Sequence, residues 1–163
     1  MVIVIIGPMG CGKTTVGILL AEKLGCDFDD ADDFHPPENV EKMSQGIPLD
    51  DNDRLGWLTT LRDRIQEKIQ QRSSLILACS ALKHSYRETL GIDQKQVFSI
   101  YLKGSPELLK DRLSTRSHEY MNDSLLNSQL RTMEEPDGGL VVSIDQPPES
   151  ICSEIITGLG IKT

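Results

Sequence analysis

Gly7-Pro8-Met9-Gly10-Cys11-Gly12-Lys13-Thr14 follows directly on the apolar run Val2 to Ile6 and fits the phosphate-binding pattern G-x-x-x-x-G-K-[ST]. Glycines at these spacings let the backbone take positive φ and turn successive N–H groups toward phosphate oxygens, while the following helix aims its positive end at the same point. Gly7, Pro8, Met9, Gly10, Cys11, Gly12, Lys13, Thr14 and Thr15 are therefore the expected nucleotide-binding stretch. Lys13 is expected to reach the β- and γ-phosphates and the Thr14 hydroxyl to ligate Mg²⁺. Cys11 is either a small filler of the loop or, at a helix N-terminus beside Lys13, a reactive thiol.

Working outward, Val16, Leu19, Leu20 and Leu24 have helical spacing and Gly25 supplies a stop, completing a first βα unit. A short strand is expected at Cys26 to Asp29. The prolines 36 and 37 open a helix over Glu38 to Met43, and a longer helix with Leu58, Leu61, Ile65 and Ile69 inward starts at the acidic run Asp50 to Asp53. Leu75 to Cys79 and Val97 to Leu102 are continuous apolar strands buried on both faces. Ser105-Pro106-Glu107 caps a helix through Leu113, another helix is expected at Leu125 to Met133, a last strand at Leu140 to Ile144, and Pro147-Pro148 open the closing helix. Strands alternating with helices predict a parallel α/β sheet. Residues 116 to 124 are polar and without pattern, as a surface lid would be.

The chain of 163 residues makes one domain, 1–163, without repeats or linkers. A net charge of −8 argues against a nucleic-acid or anionic-membrane surface. It also makes every local cation near a polyanionic ligand more telling. Cysteines 11, 26, 79 and 152 are widely spaced, which predicts free thiols and cytoplasmic residence rather than a disulfide framework or a zinc site. The N-terminal apolar run is too short for a signal peptide or a membrane span.

Many phosphate-loop enzymes complete the Mg²⁺ site with an acid at the end of a second buried strand, yet Leu75 to Cys79 ends without one. The carboxylates 30 to 33 are the alternative supply. Asp30 and Asp32 would point the same way if the segment is extended, one toward the metal's water shell and one toward an alcohol. Lys83, His84 and Arg87 follow a buried strand, where ligands of open parallel sheets collect. Arg112 and Arg116 lie four apart, placed to neutralise a triphosphate from a closing lid.

Together, DADDFHP at 30 to 36, N-x-x-K-M at 39 to 43, GIPLDDNDR at 46 to 54, CSALK-x-x-YR at 79 to 87, YLKGS at 101 to 105, LLNSQL at 125 to 130 and DQP at 145 to 147 resemble the short gluconate kinases related to shikimate kinase. The resemblance spans nearly the whole chain. It implies a P-loop NTPase fold with a five-stranded parallel sheet of order 2-3-1-4-5, flanking helices and a lid, often dimeric. The implied activity is ATP- and Mg²⁺-dependent phosphorylation of the 6-hydroxyl of D-gluconate. By matched position it makes Asp32 the group on the acceptor hydroxyl and Asp30 a partner of Mg²⁺ through water. It also places Asp32, His35, Arg54, Lys83 and Arg87 on the sugar-acid side and adenine near Asp145, Gln146 and Pro147 and the start of the lid. With the motif and lid readings above, Arg112 joins the nucleotide-binding candidates, and Lys13, Asp32 and Arg116 are the catalytic candidates. The chain departs from the family's usual GVSGSGKS at Pro8, Met9, Cys11 and Thr14, carries His118, Glu119 and Tyr120 where Gly-His-Phe is common, and has Arg131 for a usual Glu. Rival readings are another acceptor (a shikimate-like compound, a nucleoside monophosphate, another sugar acid) or a nucleotide-gated binding module that transfers nothing. No N-K-x-D or T-K-x-D segment supports a guanine-nucleotide switch.

Overall fold

The computed structural model describes residues 1–115 and 123–163. Five parallel strands, β1 (Val2–Ile6), β2 (Asp27–Asp30), β3 (Leu75–Ala78), β4 (Val97–Lys103) and β5 (Leu140–Ser143), form one sheet in the order β2-β3-β1-β4-β5. The expected order 2-3-1-4-5 is the one found. Every residue of β1 is fully buried because the strand is central and covered on both faces.

Alternation along β1 divides the core in two. Ile3 and Ile5 meet Val16 and Leu20 of α1 (Lys13–Leu24), Leu109 and Leu113 of a helix at Pro106–Ser114, and Ile151 and Ile155 of the closing helix at Pro148–Gly158. Val2, Val4 and Ile6 face Trp57, Leu58, Leu61 and Ile65 of a helix at Asp51–Gln70, and Tyr86 and Leu90 of one at His84–Leu90. In chain order the helices are α1, α2 (Pro37–Ser44), α3 (Asp51–Gln70), α4 (His84–Leu90), α5 (Pro106–Ser114), α6 (Asp123–Thr132) and α7 (Pro148–Gly158). Each fully buried Leu or Ile contributes ~1.5–3 kcal/mol, so the two half-cores fix the sheet and hold its carboxyl edge rigid.

The caps follow the sequence. The Ser105 hydroxyl accepts from Leu108 N ahead of Pro106, and Asp50 and Asp53 form a reciprocal capping box at the start of α3. Helix α6 begins at Asp123, so the last two positions of the expected lid, 123 and 124, belong to its first turn; the rest, including Arg116, His118, Glu119 and Tyr120, lies outside the described residues. All four cysteines are free. Among the described residues no helix is long and apolar enough to cross a membrane.

Candidate active site

The carboxyl ends of the strands deliver the chemistry to one edge. From β1 the chain enters the glycine loop, where Gly12 takes φ 94° immediately before Lys13 opens α1. At Gly7, φ is 146°, and a Cβ there would stand 2.8 Å from Cys11 Sγ. Cys11 is wholly buried behind the loop, so of its two sequence readings the filler is the one its position supports. The Lys13 ammonium donates to the carbonyls of Gly7 (3.0 Å) and Pro8 (3.1 Å), folded across the mouth of the loop. Met9 N donates to Gln129 Oε1 of α6 at 2.7 Å.

From β2 the chain enters a 3-10 turn, Ala31–Phe34. The sequence reading had Asp30 and Asp32 alternating on an extended segment, and the turn corrects it. Asp30 caps the turn, Oδ1 accepting from Asp32 N at 3.0 Å, while its Oδ2 accepts from the Thr14 hydroxyl at 2.9 Å. Both carboxylates still face the glycine loop, because the turn rather than strand alternation aims them there. A cleft of about 170 Å³ is lined by Lys13, Thr14, Thr15, Asp30 and Asp32 together with Ser80 and Gln129. Asp32 lines the cleft with its carboxylate largely open to solvent, and the protein packed around it, followed by the neighbouring Asp30 charge, raises its pKa above the ordinary carboxylate value. Thr14 and Asp30 offer two adjacent hard oxygens, a donor set that suits Mg²⁺ retaining several waters.

A second cavity, of about 290 Å³, opens beside the first and shares Met9, Asp32, Ser80 and Gln129 with it. Its other walls include His35, Arg54, Trp57 and Leu49. Trp57 Nε1 donates to Ala31 O at 2.7 Å, tying α3 to the acidic turn, and its ring stacks on His35 with centroids 4.2 Å apart. The His35 side chain is only 3% exposed, and burial, followed by the Arg54 charge, lowers its pKa to about 4. Arg54 Nη1 donates to Tyr86 Oη at 3.0 Å, and the guanidinium lies 5.3 Å from that ring. Among the described residues Arg54 has no carboxylate in ion-pair contact, although the chain as a whole is acidic.

Two expectations, for Arg87 and Lys83, meet a different arrangement. Arg87 was expected to bind substrate, but it is 6% exposed and lines neither cavity: Nε donates to Ala81 O at 2.9 Å, and Nη2 to Leu82 O and Glu134 O. It is a clamp holding α4 to the chain after α6. Lys83 also lies outside both cavity walls, paired with Asp51 at 3.0 Å above the Tyr86 ring. Asp145, Gln146 and Pro147, expected beside adenine rather than the phosphates, lie outside the phosphate cleft. They follow β5, where Gln146 Nε2 donates to Ser143 O and Glu154, and Arg112 bridges to them through Ile144 O at 2.6 Å. The Arg112 guanidinium reaches within 3.7 Å of where a Gly12 Cβ would stand, and so spans the glycine loop and the segment at 145 to 147.

Sequence patterns alone single out neither Ser80, Gln129 and Trp57, which line the cavities, nor Tyr86 and Asn39, which hold Arg54 and His35 from behind. Asn39, Ser80, Tyr86 and Gln129 stand inside stretches that carried the resemblance, which was the one available signal. Trp57 reads as an ordinary inward helix position.

A parallel sheet with a glycine loop after β1, and an acidic turn joining the phosphate cleft to a cation-bearing cavity, defines a small-molecule kinase of the P-loop class. The shikimate kinase family model matches residues 9–157. A gluconokinase of Gluconobacter oxydans is 42% identical over 157 residues, covering 94% of this chain and 88% of that protein. The crystal structure of a gluconokinase from Sinorhizobium meliloti superposes with a TM-score of 0.85 at 39% identity, over 97% of this chain and 90% of that one. An unliganded sugar kinase from Janibacter sp. HTCC2649 gives 0.90 at 41% identity, over 98% and 94%. The chain belongs to the gluconokinase family, within the wider shikimate kinase group.

Proposed function

We propose that this kinase transfers the γ-phosphoryl group of ATP to the 6-hydroxyl of D-gluconate, giving 6-phosphogluconate. The observation that carries the reading is the position of Asp32 on the wall shared by the phosphate cleft and the cavity holding Arg54 and His35. An alcohol bound in the second cavity meets a carboxylate that already faces the first. Arg54, with no carboxylate at ion-pair distance among the described residues, is suited to a bidentate contact with a sugar-acid carboxylate. The names of the related proteins supply the identity of the acid.

Phosphoryl transfer asks the protein chiefly for positioning and charge stabilisation. Lys13 exchanges the loop carbonyls for the β- and γ-phosphates, the loop amides cradle the same oxygens, and Arg112 lies against the nucleotide along the segment at 145 to 147. Arg116 adds lid charge in this reading. Thr14 directly, and Asp30 through water, would hold Mg²⁺, which when bound would supply neutralisation of the triphosphate charge. Asp32 orients the acceptor hydroxyl and takes its proton as transfer completes. The free cysteines support a reducing, cytoplasmic setting.

A coupled ADP-release assay over gluconate, other sugar acids, shikimate and nucleoside monophosphates tests the assignment. Gluconate is expected to give the highest kcat/KM. Preferred turnover of shikimate or a nucleotide overturns it, and absence of ADP with every acceptor despite ATP binding favours the non-transferring module. Trp57 is the one tryptophan of the chain and lines the acceptor cavity, so its fluorescence is expected to change on gluconate binding without any turnover.

A further inference from the structure

Asn39 is 3% exposed and touches neither the phosphate cleft nor the acceptor cavity wall. Its amide nitrogen makes two contacts, 2.9 Å to the Asp53 carbonyl and 3.2 Å to His35 Nδ1. The carbonyl can only accept, so it fixes which end of the Asn39 amide faces inward. The same nitrogen, a donor only, then requires His35 Nδ1 to accept. A neutral imidazole whose Nδ1 accepts carries its hydrogen on Nε2, and Nε2 lies 3.8 Å from Asp32 Oδ1. Burial keeps the ring neutral at pH 7, and the Trp57 stack holds its plane.

We propose that Asn39 is a positioning residue: it locks His35 as the Nε2–H tautomer, so that the imidazole donates to one oxygen of Asp32 and leaves the other for the acceptor hydroxyl. The inference deepens the kinase reading and rests on the role given there to Asp32. At 3.8 Å the contact is too long for a hydrogen bond, and rotation of the solvent-accessible Asp32 side chain closes it when the acceptor fills the cavity. The chain of control begins at the capping box of α3, which fixes Asp53, and runs through its carbonyl to Asn39, His35 and Asp32. Without the lock, the other tautomer would turn a lone pair on Nε2 toward the carboxylate and push it away.

Histidine ¹⁵N spectra of the intact protein at pH 7 test the lock directly. The His35 signals are expected to show a protonated Nε2 and an unprotonated Nδ1; the reverse pattern overturns the proposal. This measurement needs no acceptor, so it stands even if gluconate proves to be the wrong sugar acid, and the kinetics are run with the best acceptor of the panel. His35→Phe keeps an aromatic ring on Trp57 but has no donor, and is expected to lower kcat about 10- to 100-fold with KM for ATP unchanged. His35→Gln loses the stack but returns an N–H where Nε2 stood, and is expected to regain at least about tenfold of that loss. A packing role predicts the opposite order, so a Phe variant within about twofold of wild type, or a Gln variant no better than Phe, overturns the proposal. Asn39→Asp, nearly isosteric and an acceptor, is expected to shift the surviving folded protein to the Nδ1–H tautomer and lower kcat in parallel; a folded variant with the wild-type tautomer overturns it as well.

Discussion

Asp32 and Lys13 carry the residue-scale reading, and each is separable from the fold. Asp32→Asn keeps size and removes the proton acceptor, so kcat is expected to fall about 10²-fold or more with KM for ATP little changed; retention of more than about a tenth of turnover excludes Asp32 as the base. Lys13→Ala is expected to abolish measurable transfer while circular dichroism stays native, since its present bonds stay within the glycine loop, to the carbonyls of Gly7 and Pro8 and to Cys11 Sγ. Arg54 is proposed to bind the acceptor. Losing a charge-assisted contact costs about 1.5–3 kcal/mol, so Arg54→Met should raise KM for gluconate roughly 10- to 100-fold and leave that for ATP within about threefold. Steady-state titration of each substrate at saturation of the other checks both statements. His35 also links stability to pH. Unfolded, it takes a proton as pH falls through 6.5, whereas in the folded protein protonation waits until about 4. Between these values the unfolded chain binds more protons, so His35 stabilises the fold fully above 6.5 and that stabilisation is lost as pH falls toward 4. Thermal melts across this window should show a steeper fall for wild type than for His35→Gln; parallel curves would remove the buried-neutral account.

At the scale of elements, Arg87 separates what could be read from sequence from what could not. A basic residue one turn into the helix after a buried strand looks the same in sequence whether it faces the ligand edge or turns back to the chain. The difference is made by the carbonyl of Glu134, 47 residues later, which no local pattern announces. As a clamp, Arg87→Met should lower stability by about 3 kcal/mol, close to 10 °C in Tm for a domain of this size, while KM for gluconate of the folded protein stays put. A rise in KM without loss of Tm would return it to the substrate. The strands, by contrast, were legible because β1 and β3 are continuous apolar runs and β4 is apolar up to Leu102 apart from Ser99, and the glycine loop because its conformation demands glycine at fixed places. The Ala31–Phe34 turn was not, since four residues offer no period to read, and it is this turn that aims Asp32. The Trp57–His35 stack and the Asn39 amide were invisible for a related reason: each joins elements whose packing only the folded sheet decides.

For the whole molecule the open question is how a chain of net charge −8 binds two anions. Lys13 and Arg54 act at contact distance inside the site, where salt screens little, whereas the remaining charge acts across the full radius of the protein, about 20 Å for a domain of this length. That remainder is −10, the net −8 less the two cations, and treated as a charge at that distance in water it repels a singly charged acid by ~2 kcal/mol before screening. At about 0.01 M salt the Debye length of roughly 30 Å leaves much of that repulsion in place, and at about 0.15 M, with roughly 8 Å, most of it is gone. The kcat/KM for gluconate at saturating nucleotide should therefore rise about two- to fivefold over this range, the opposite of the fall expected where a cationic surface draws the substrate in. Arg54→Met should keep the upward slope while lowering its level, because in the proposed complex the arginine meets the acid at close quarters and the slope belongs to the rest of the chain. A kcat/KM that falls with salt in wild type and flattens in Arg54→Met would mean that local cations already steer the acid from a distance, and that the acidic exterior is shielded from the cavity mouth.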